Sequence, residues 1–280
     1  SQPALINDRF DSPTHPDYSV RNAAGGSRHM RISDTAAVIT GGASGLGEAT
    51  ARHFREMGVQ VAIFDRDKDR GALVANEIGA AFAQTDVTDE ASVAAAMTTA
   101  REAMGRITCA VNCAGIATGA KTLGKDGPHS LAEFQRTIDI NLVGSFTVAR
   151  LAAAEIAKCT PNEDGLSGVI INTASIAAFD GQKGQSAYAA SKGGIVGLSL
   201  PMARDLARDG IRVMAIAPGI ILTPMLMGLP QQVQDSLAES VTCPKRLGRP
   251  EEYAALARFI VENDYLNGEV IRMDGALRMQ

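Results

Sequence analysis

Seven short apolar runs recur along the chain, and six of the gaps between them have the spacing of helices. The runs cover residues 36–40, 59–65, 81–85, 107–112, 169–173, 211–217 and 270–273. The intervening segments 46–57, 68–78, 90–104, 131–158, 187–208 and 251–262 read as helices, with Pro201 as the expected place for a kink. Continuous apolar runs suit strands buried on both faces. Their alternation with helices predicts βα units in one doubly wound, parallel, seven-stranded α/β sheet, with helices on both faces as right-handed crossovers.

Residues 1–29 break this pattern. They carry Pro3, Pro13, Pro16, Gly25 and Gly26 and show no period. There is no apolar core of a secretory signal, and Asp8, Asp11 and Asp17 are unlike an organelle transit peptide. Two readings stand for this extension. It is an expression remnant ending in Gly25-Gly26-Ser27-Arg28-His29 before a native start at Met30, or a natural arm that docks on a partner subunit. Either way the folded domain is expected over 30–280.

The composition narrows the function classes. The chain has 280 residues, of which 45% are hydrophobic and 21% charged, so it can bury a full core. A net charge of -4 lacks the basic footprint of a nucleic-acid binder. No uncharged apolar stretch reaches the ~20 residues that span a bilayer. Cys109, Cys113, Cys159 and Cys243 form no CxxC pair, and His15, His29, His53 and His129 have no ligand spacing. No metal site is therefore expected, and the thiols fit a reduced, cytoplasmic protein.

Chemistry enters at the turn between the first strand and the first helix, Thr40-Gly41-Gly42-Ala43-Ser44-Gly45-Leu46-Gly47. Glycines there allow close backbone approach, and a helix start presents free N–H groups to a pyrophosphate. Within a βαβ unit this predicts dinucleotide binding by Gly41, Ser44, Gly45, Leu46 and Gly47. Asp65 ends the second strand eighteen positions beyond Gly47. A carboxylate there binds ribose hydroxyls and repels a 2′-phosphate, favouring NAD, while neighbouring Arg66 keeps NADP open. Asp86-Val87 follows the third strand, where Asp86 can meet the adenine amino group, cap the next helix, or both. Small residues at Cys113, Ala114 and Gly115 leave room for a cofactor, with Cys113 read as a neutral wall rather than a reactive thiol.

Tyr188 and Lys192 stand four apart at a helix start, on one face. A cation beside a phenol favours the phenolate, so Tyr188 can act as acid or base toward a carbonyl or alcohol oxygen. Ser175 lies thirteen positions before Tyr188, just after the fifth strand, placed to bind the same oxygen. Ser175 lacks the Gly-x-Ser-x-Gly elbow of a hydrolase. The stretch 222–229, with Met225, Leu226 and Met227, reads equally as a flap over an apolar substrate or as ordinary packing.

These motifs, in this order over residues 34–280, resemble the short-chain dehydrogenase/reductase family, and the resemblance implies a Rossmann fold. Thr40, Gly41, Gly45 and Gly47 match its cofactor turn, and Asn112, Ala114 and Gly115 its NxAG motif. Asn141, Ser175, Tyr188 and Lys192 match its catalytic set, and Pro218-Gly219 its motif after the sixth strand, with Thr223 at the nicotinamide amide. The resemblance implies that Ser175 and Tyr188 bind substrate and that Tyr188 and Lys192 also touch cofactor. It further implies that Asn141 holds a water that relays protons from Lys192.

The segments 171–182, 191–197 and 266–276, with the hydrophilic insertion 161–167, are similar to the 3-hydroxyacyl-CoA dehydrogenase branch of the short-chain type. That likeness implies NAD, an acyl-CoA substrate and a homotetramer. Ile221-Leu222 departs from the animal pattern in a loop that touches cofactor and substrate. Alternatives within the family are a 3-oxoacyl-carrier-protein reductase, usually NADPH-dependent and so disfavoured by Asp65, or a hydroxysteroid dehydrogenase. A non-catalytic alternative is a subunit of an assembly, a role some animal relatives serve.

Overall fold

The computed structural model describes residues 30–228 and 230–279. Both readings of the segment 1–29 lie outside the described residues. The chain begins with β1 (Ala36–Thr40), α1 (Gly45–Glu56), β2 (Gln60–Asp65), α2 (Lys68–Ile78), β3 (Ala81–Gln84), α3 (Glu90–Met104) and β4 (Cys109–Asn112). A small hairpin follows, β5 (Leu123–Gly124) and β6 (Gly127–Pro128). Then come α4 (Leu131–Ile138), a π-helical stretch Asp139–Gly144, α5 (Ser145–Ile156), β7 (Gly168–Thr173) and α6 (Ser186–Asp205). The chain continues with β8 (Ile211–Pro218), α7 (Pro224–Met227), α8 (Gln231–Ser240), α9 (Pro250–Glu262) and β9 (Val270–Met273).

The seven expected strands form one parallel sheet in the order β3-β2-β1-β4-β7-β8-β9. Each apolar run serves two cores at once, because successive side chains point to opposite faces. Val38, Ala110, Ile170 and Val213 lie in the core under α3, α5 and α6. Ile39, Val111, Ile171 and Ile216 lie in the core under α1 and α9. Caps set the helix limits locally. Asp67 accepts from the Arg70 N–H at the start of α2, and Gly79, at φ +64°, ends it. Asp89 does the same for α3 by accepting from the Ala91 N–H.

The single helix expected over 131–158 is instead interrupted by the π-helical stretch, which the side-chain spacing does not reveal. Helix α6 runs through Pro201 and ends at Asp205, and the rest of the expected helix is a 3-10 turn, Ala207–Asp209. The sheet order reverses between β1 and β4, so a crevice opens at their carboxyl ends. Every site motif named above sits at or beside that edge.

Candidate active site

The glycine turn is built by close contacts. A Cβ on Gly41, which has φ +66°, would lie 2.9 Å from the Ala114 nitrogen, and one on Gly47 would collide with the Gly41 oxygen. No side chain caps α1 at Ser44, so its first N–H groups face the crevice mouth unpaired by a cap. Thr40 Oγ1 accepts from the Cys113 and Ala114 N–H groups at 3.1 and 3.0 Å, tying the first motif to the NxAG segment. Asn112 Nδ2 donates to Asn172 Oδ1 at 2.8 Å and to the Ser145 oxygen, which fixes β4 to β7 and α5.

A cleft of about 450 Å³ runs along this edge. It is lined by Gly41, Ser44, Gly45, Leu46 and Gly47 at one place and by Asp65, Asp86 and Val87 at another. Cys113, Ala114, Gly115, Tyr188, Lys192 and Thr223 complete the expected set within it. A second cleft, of about 320 Å³, shares Leu46, Thr173, Tyr188 and Thr223 with the first. Ser175, Pro218 and Ile221 line this second cleft and not the first.

Asp65 does not cap α2. Its Oδ2 accepts from the Ala43 N–H at 3.0 Å and its Oδ1 from the Asp67 N–H at 2.9 Å, so the carboxylate is locked against the glycine turn. Asp86 does not cap α3, whose cap is Asp89. Its Oδ1 accepts from the Thr88 hydroxyl and N–H at 2.6 and 2.9 Å. Those bonds, the hydroxyl's first, hold its carboxyl below the usual range. Cys113 is half-buried beside the Tyr253 and Thr173 hydroxyls, at 3.6 and 3.7 Å, and burial pushes its thiol up. Burial thus keeps this thiol protonated where it lines the cleft.

Asn141 lies in the π-helical stretch and is fully buried. Its Nδ2 donates to the Ile116 oxygen and Ser191 Oγ, and its Oδ1 accepts from the Ile116 N–H at 2.8 Å. The side chain thus bridges the β4 exit to α6 with protein partners on both ends.

Ser175 Oγ accepts from the Ala177 N–H and hydrogen-bonds the Tyr188 phenol. Lys192 is buried, 4% exposed, and its Nζ donates to the Thr173 main-chain oxygen at 2.7 Å. Burial lowers its pKa to about 8. The expected depression of Tyr188 by Lys192 is not what this geometry gives. Burial raises the Tyr188 pKa, and the Ser175 bond offsets that only in part.

Sequence reasoning missed several lining residues. Phe64, Thr85, Ile116 and Arg136 line the first cleft, and Gln182, Gln185, Leu237 and Met279 the second. Ile116 had a signal, since it follows the NxAG motif directly. The others lie on helices, at strand ends, in the loop before α6 or beyond the last strand, where nothing in the local pattern marks them. Leu226, from the stretch read as flap or packing, lines the second cleft on the one-turn helix α7. Among the described residues no cluster of His, Cys, Asp and Glu could hold a metal, and no helix is long and apolar enough to cross a membrane.

Comparison with known proteins gives the same result as the geometry. Residues 35–234 match the family model described as short chain dehydrogenase. A Bos taurus protein named 3-hydroxyacyl-CoA dehydrogenase type-2 is 54% identical over 253 residues, covering 89% of this chain and 97% of the relative. The Drosophila melanogaster protein of that name is 52% identical, covering 89% and 99%. The crystal structure of 3-hydroxyacyl-CoA dehydrogenase type-2 from Mycobacterium avium is 43% identical, with a TM-score of 0.86 over 89% of this chain and 98% of that one. A 7α-hydroxysteroid dehydrogenase complexed with NADH and 7-oxo glycochenodeoxycholic acid is 29% identical, with a TM-score of 0.80 over 91% and 99%. The chain belongs to the short-chain dehydrogenase family.

Proposed function

We propose that this chain interconverts (3S)-3-hydroxyacyl-CoA and 3-oxoacyl-CoA esters with NAD, serving fatty-acid or branched-chain acyl oxidation. The observation that carries the reading is the wall shared by the two clefts, where Tyr188 faces both and Ser175 only the second. The relatives named for this activity match the chain over nearly their whole length.

The residues fit a dinucleotide. The Gly41–Gly47 approach leaves no room for a Cβ, and the open start of α1 supplies N–H donors for phosphate. Asp65 supports NAD, because its fixed carboxylate would repel a 2′-phosphate. When bound, nicotinamide supplies the hydride acceptor or donor. Ser175 and Tyr188 would bind the substrate oxygen. Tyr188 Oη would hold the proton, taking it from the hydroxyl in oxidation and returning it in reduction. Lys192, held by Thr173, keeps positive charge beneath that oxygen. Asn141 holds the β4 exit and α6 in register.

Assembly as a homotetramer belongs to the same reading. It is supported by the exposed apolar side chains Val143, Phe146 and Leu200. So does a reducing, cytoplasmic setting, consistent with four free thiols. The experiment is NADH consumption with acetoacetyl-CoA, beside NADPH and a ketosteroid. Fast turnover with NADH and the acyl-CoA is expected. Activity on another ketone alone would discard the substrate, and tight NADH binding with no turnover on any ketone would discard the reaction.

A further inference from the structure

After β9 the chain turns at Gly275 and Ala276, both at positive φ, and returns across the second cleft. Leu277 is buried, and Met279 lines the cleft together with Leu226 and Leu237. This segment is fastened from several sides. Thr242 Oγ1 donates to the Ala276 oxygen, and the Cys243 N–H donates to the Gly275 oxygen, each at 3.1 Å.

Arg272 is the hub of these fastenings. Its Nε donates to Asp274 Oδ2 at 2.8 Å, and its Nη2 to Asp180 Oδ2 at 2.6 Å and to the Leu277 oxygen at 3.2 Å. The guanidinium also stands 5.1 Å from the centre of the Phe179 ring. Asp180 belongs to the loop that begins at Ser175, since its N–H donates to the Ile176 oxygen at 2.9 Å. Asp274 closes the other side. Its Cα lies 2.8 Å from where a Cβ on Gly219 would stand, so it abuts the Pro218-Gly219 motif. One planar cation therefore ties the segment 274–279 to the loop that carries Ser175. A lysine, as a point charge, could not hold both carboxylates in this fork geometry.

Resting on the acyl-CoA reading above, we propose that 274–279 is the wall of the acyl subsite. Met279 touches the distal part of longer acyl chains, and Arg272 is a positioning residue that holds this wall against the Ser175 loop. Neither residue touches the reacting atoms. Their loss acts on how far a chain can be gripped, and so on KM for long substrates more than on the chemical step.

The test is steady-state reduction of acetoacetyl-CoA and 3-oxodecanoyl-CoA with NADH by the full chain and by Met279→Ala, Arg272→Met and Arg272→Lys. Thermal unfolding and NADH binding are read in parallel. Met279→Ala and Arg272→Met should each lower the ratio of kcat/KM for the long ester to that for the short one roughly tenfold, chiefly through KM. Arg272→Lys should fall between Arg272→Met and the parent. Equal losses on both esters would overturn the proposal, as would an unchanged ratio in a parent that turns over both. A parent that binds NADH but turns over neither ester overturns the proposed function as well. Should Arg272→Met fail to fold, Asp180→Asn removes the same tie from the other side, with the same change in ratio expected.

Discussion

The Lys192 ammonium lies 5.9 Å from the centre of the Tyr188 ring and donates to the main-chain oxygen of Thr173. The spacing of four places both residues on one helix face, with both lining the first cleft and Tyr188 also lining the second. The cation is thus held by the backbone of β7, below the phenol rather than on it. Thr173 is itself fixed from the opposite face of the sheet, because its hydroxyl lies 2.7 Å from that of the fully buried Tyr253.

Removing the Tyr188 hydroxyl tests the acid–base role. Tyr188→Phe keeps the ring and the cleft wall, so NADH affinity should stay within a few fold. Turnover should fall by about 10² to 10⁴, the range for loss of a positioned acid or base. Stopped-flow or steady-state rates with fluorescence titration of NADH would measure both. Near-parental turnover would assign the proton to another group.

Lys192 carries a stability cost with a definite pH signature. Burial lowers its pKa to about 8 from an ordinary 10.5. Below pH 8 both folded and unfolded chains hold the proton, and the cost of the buried charge is full. Between about 8 and 10.5 the unfolded chain binds more protons than the folded one, so parental stability gains up to about 3 kcal/mol as pH rises. Lys192→Met lacks this titration. Its stability relative to the parent should therefore fall across that window, while its activity is lost throughout. Urea unfolding of both proteins at pH 7, 9 and 10.5 would show it, and a pH-independent difference would count against the buried charge.

The sheet and most of the site were legible because they rest on local signals. Runs such as 36–39 are apolar at every position since the two faces of the sheet each bury alternate residues. The glycine turn, Asp65, Ser175, Tyr188 and Lys192 follow strands and open helices at fixed offsets, and the fold brings them to one edge. What stayed hidden depends on contacts distant in sequence or on weak local pattern. Helix α8 buries no residue fully and offers only Val233, Leu237 and Ala238 as apolar positions, too few to mark a core face, yet its Leu237 walls the second cleft. The π-helical stretch changes the backbone without changing composition, and the hairpin β5–β6 has only two residues per strand. The raised pKa of Tyr188 reflects how deeply α6 seats it, which a spacing of four cannot report.

Gly47 should tolerate no side chain. A Cβ there would meet the Gly41 oxygen and carbonyl carbon, both backbone atoms of the turn, and backbone cannot swing aside as a side chain can. Gly47→Ala should destabilise the chain by about 1–3 kcal/mol, as overpacking does, and weaken NADH binding at least tenfold. Chemical denaturation and NADH titration would check both. Unchanged NADH affinity would show that the turn can shift without consequence for the cofactor.

Asp65→Asn removes the charge of this residue and one of its two accepted hydrogen bonds, that from the Asp67 N–H. The amide oxygen can still accept from the Ala43 N–H, the bond that anchors the turn at 3.0 Å, so the local fold should persist. What disappears is the negative charge that repels a 2′-phosphate, while Arg66 remains beside it on the same cleft. The ratio of kcat/KM for NADPH to that for NADH should then rise by at least tenfold, which corresponds to about 1.4 kcal/mol. Most of the change should appear in KM for NADPH, because the substitution acts on binding and leaves Ser175, Tyr188 and Lys192 in place. Parallel initial-rate measurements with the two cofactors decide it. A parent that already prefers NADPH, or a variant with an unchanged ratio, would remove Asp65 from cofactor selection and leave it as the anchor of the glycine turn alone.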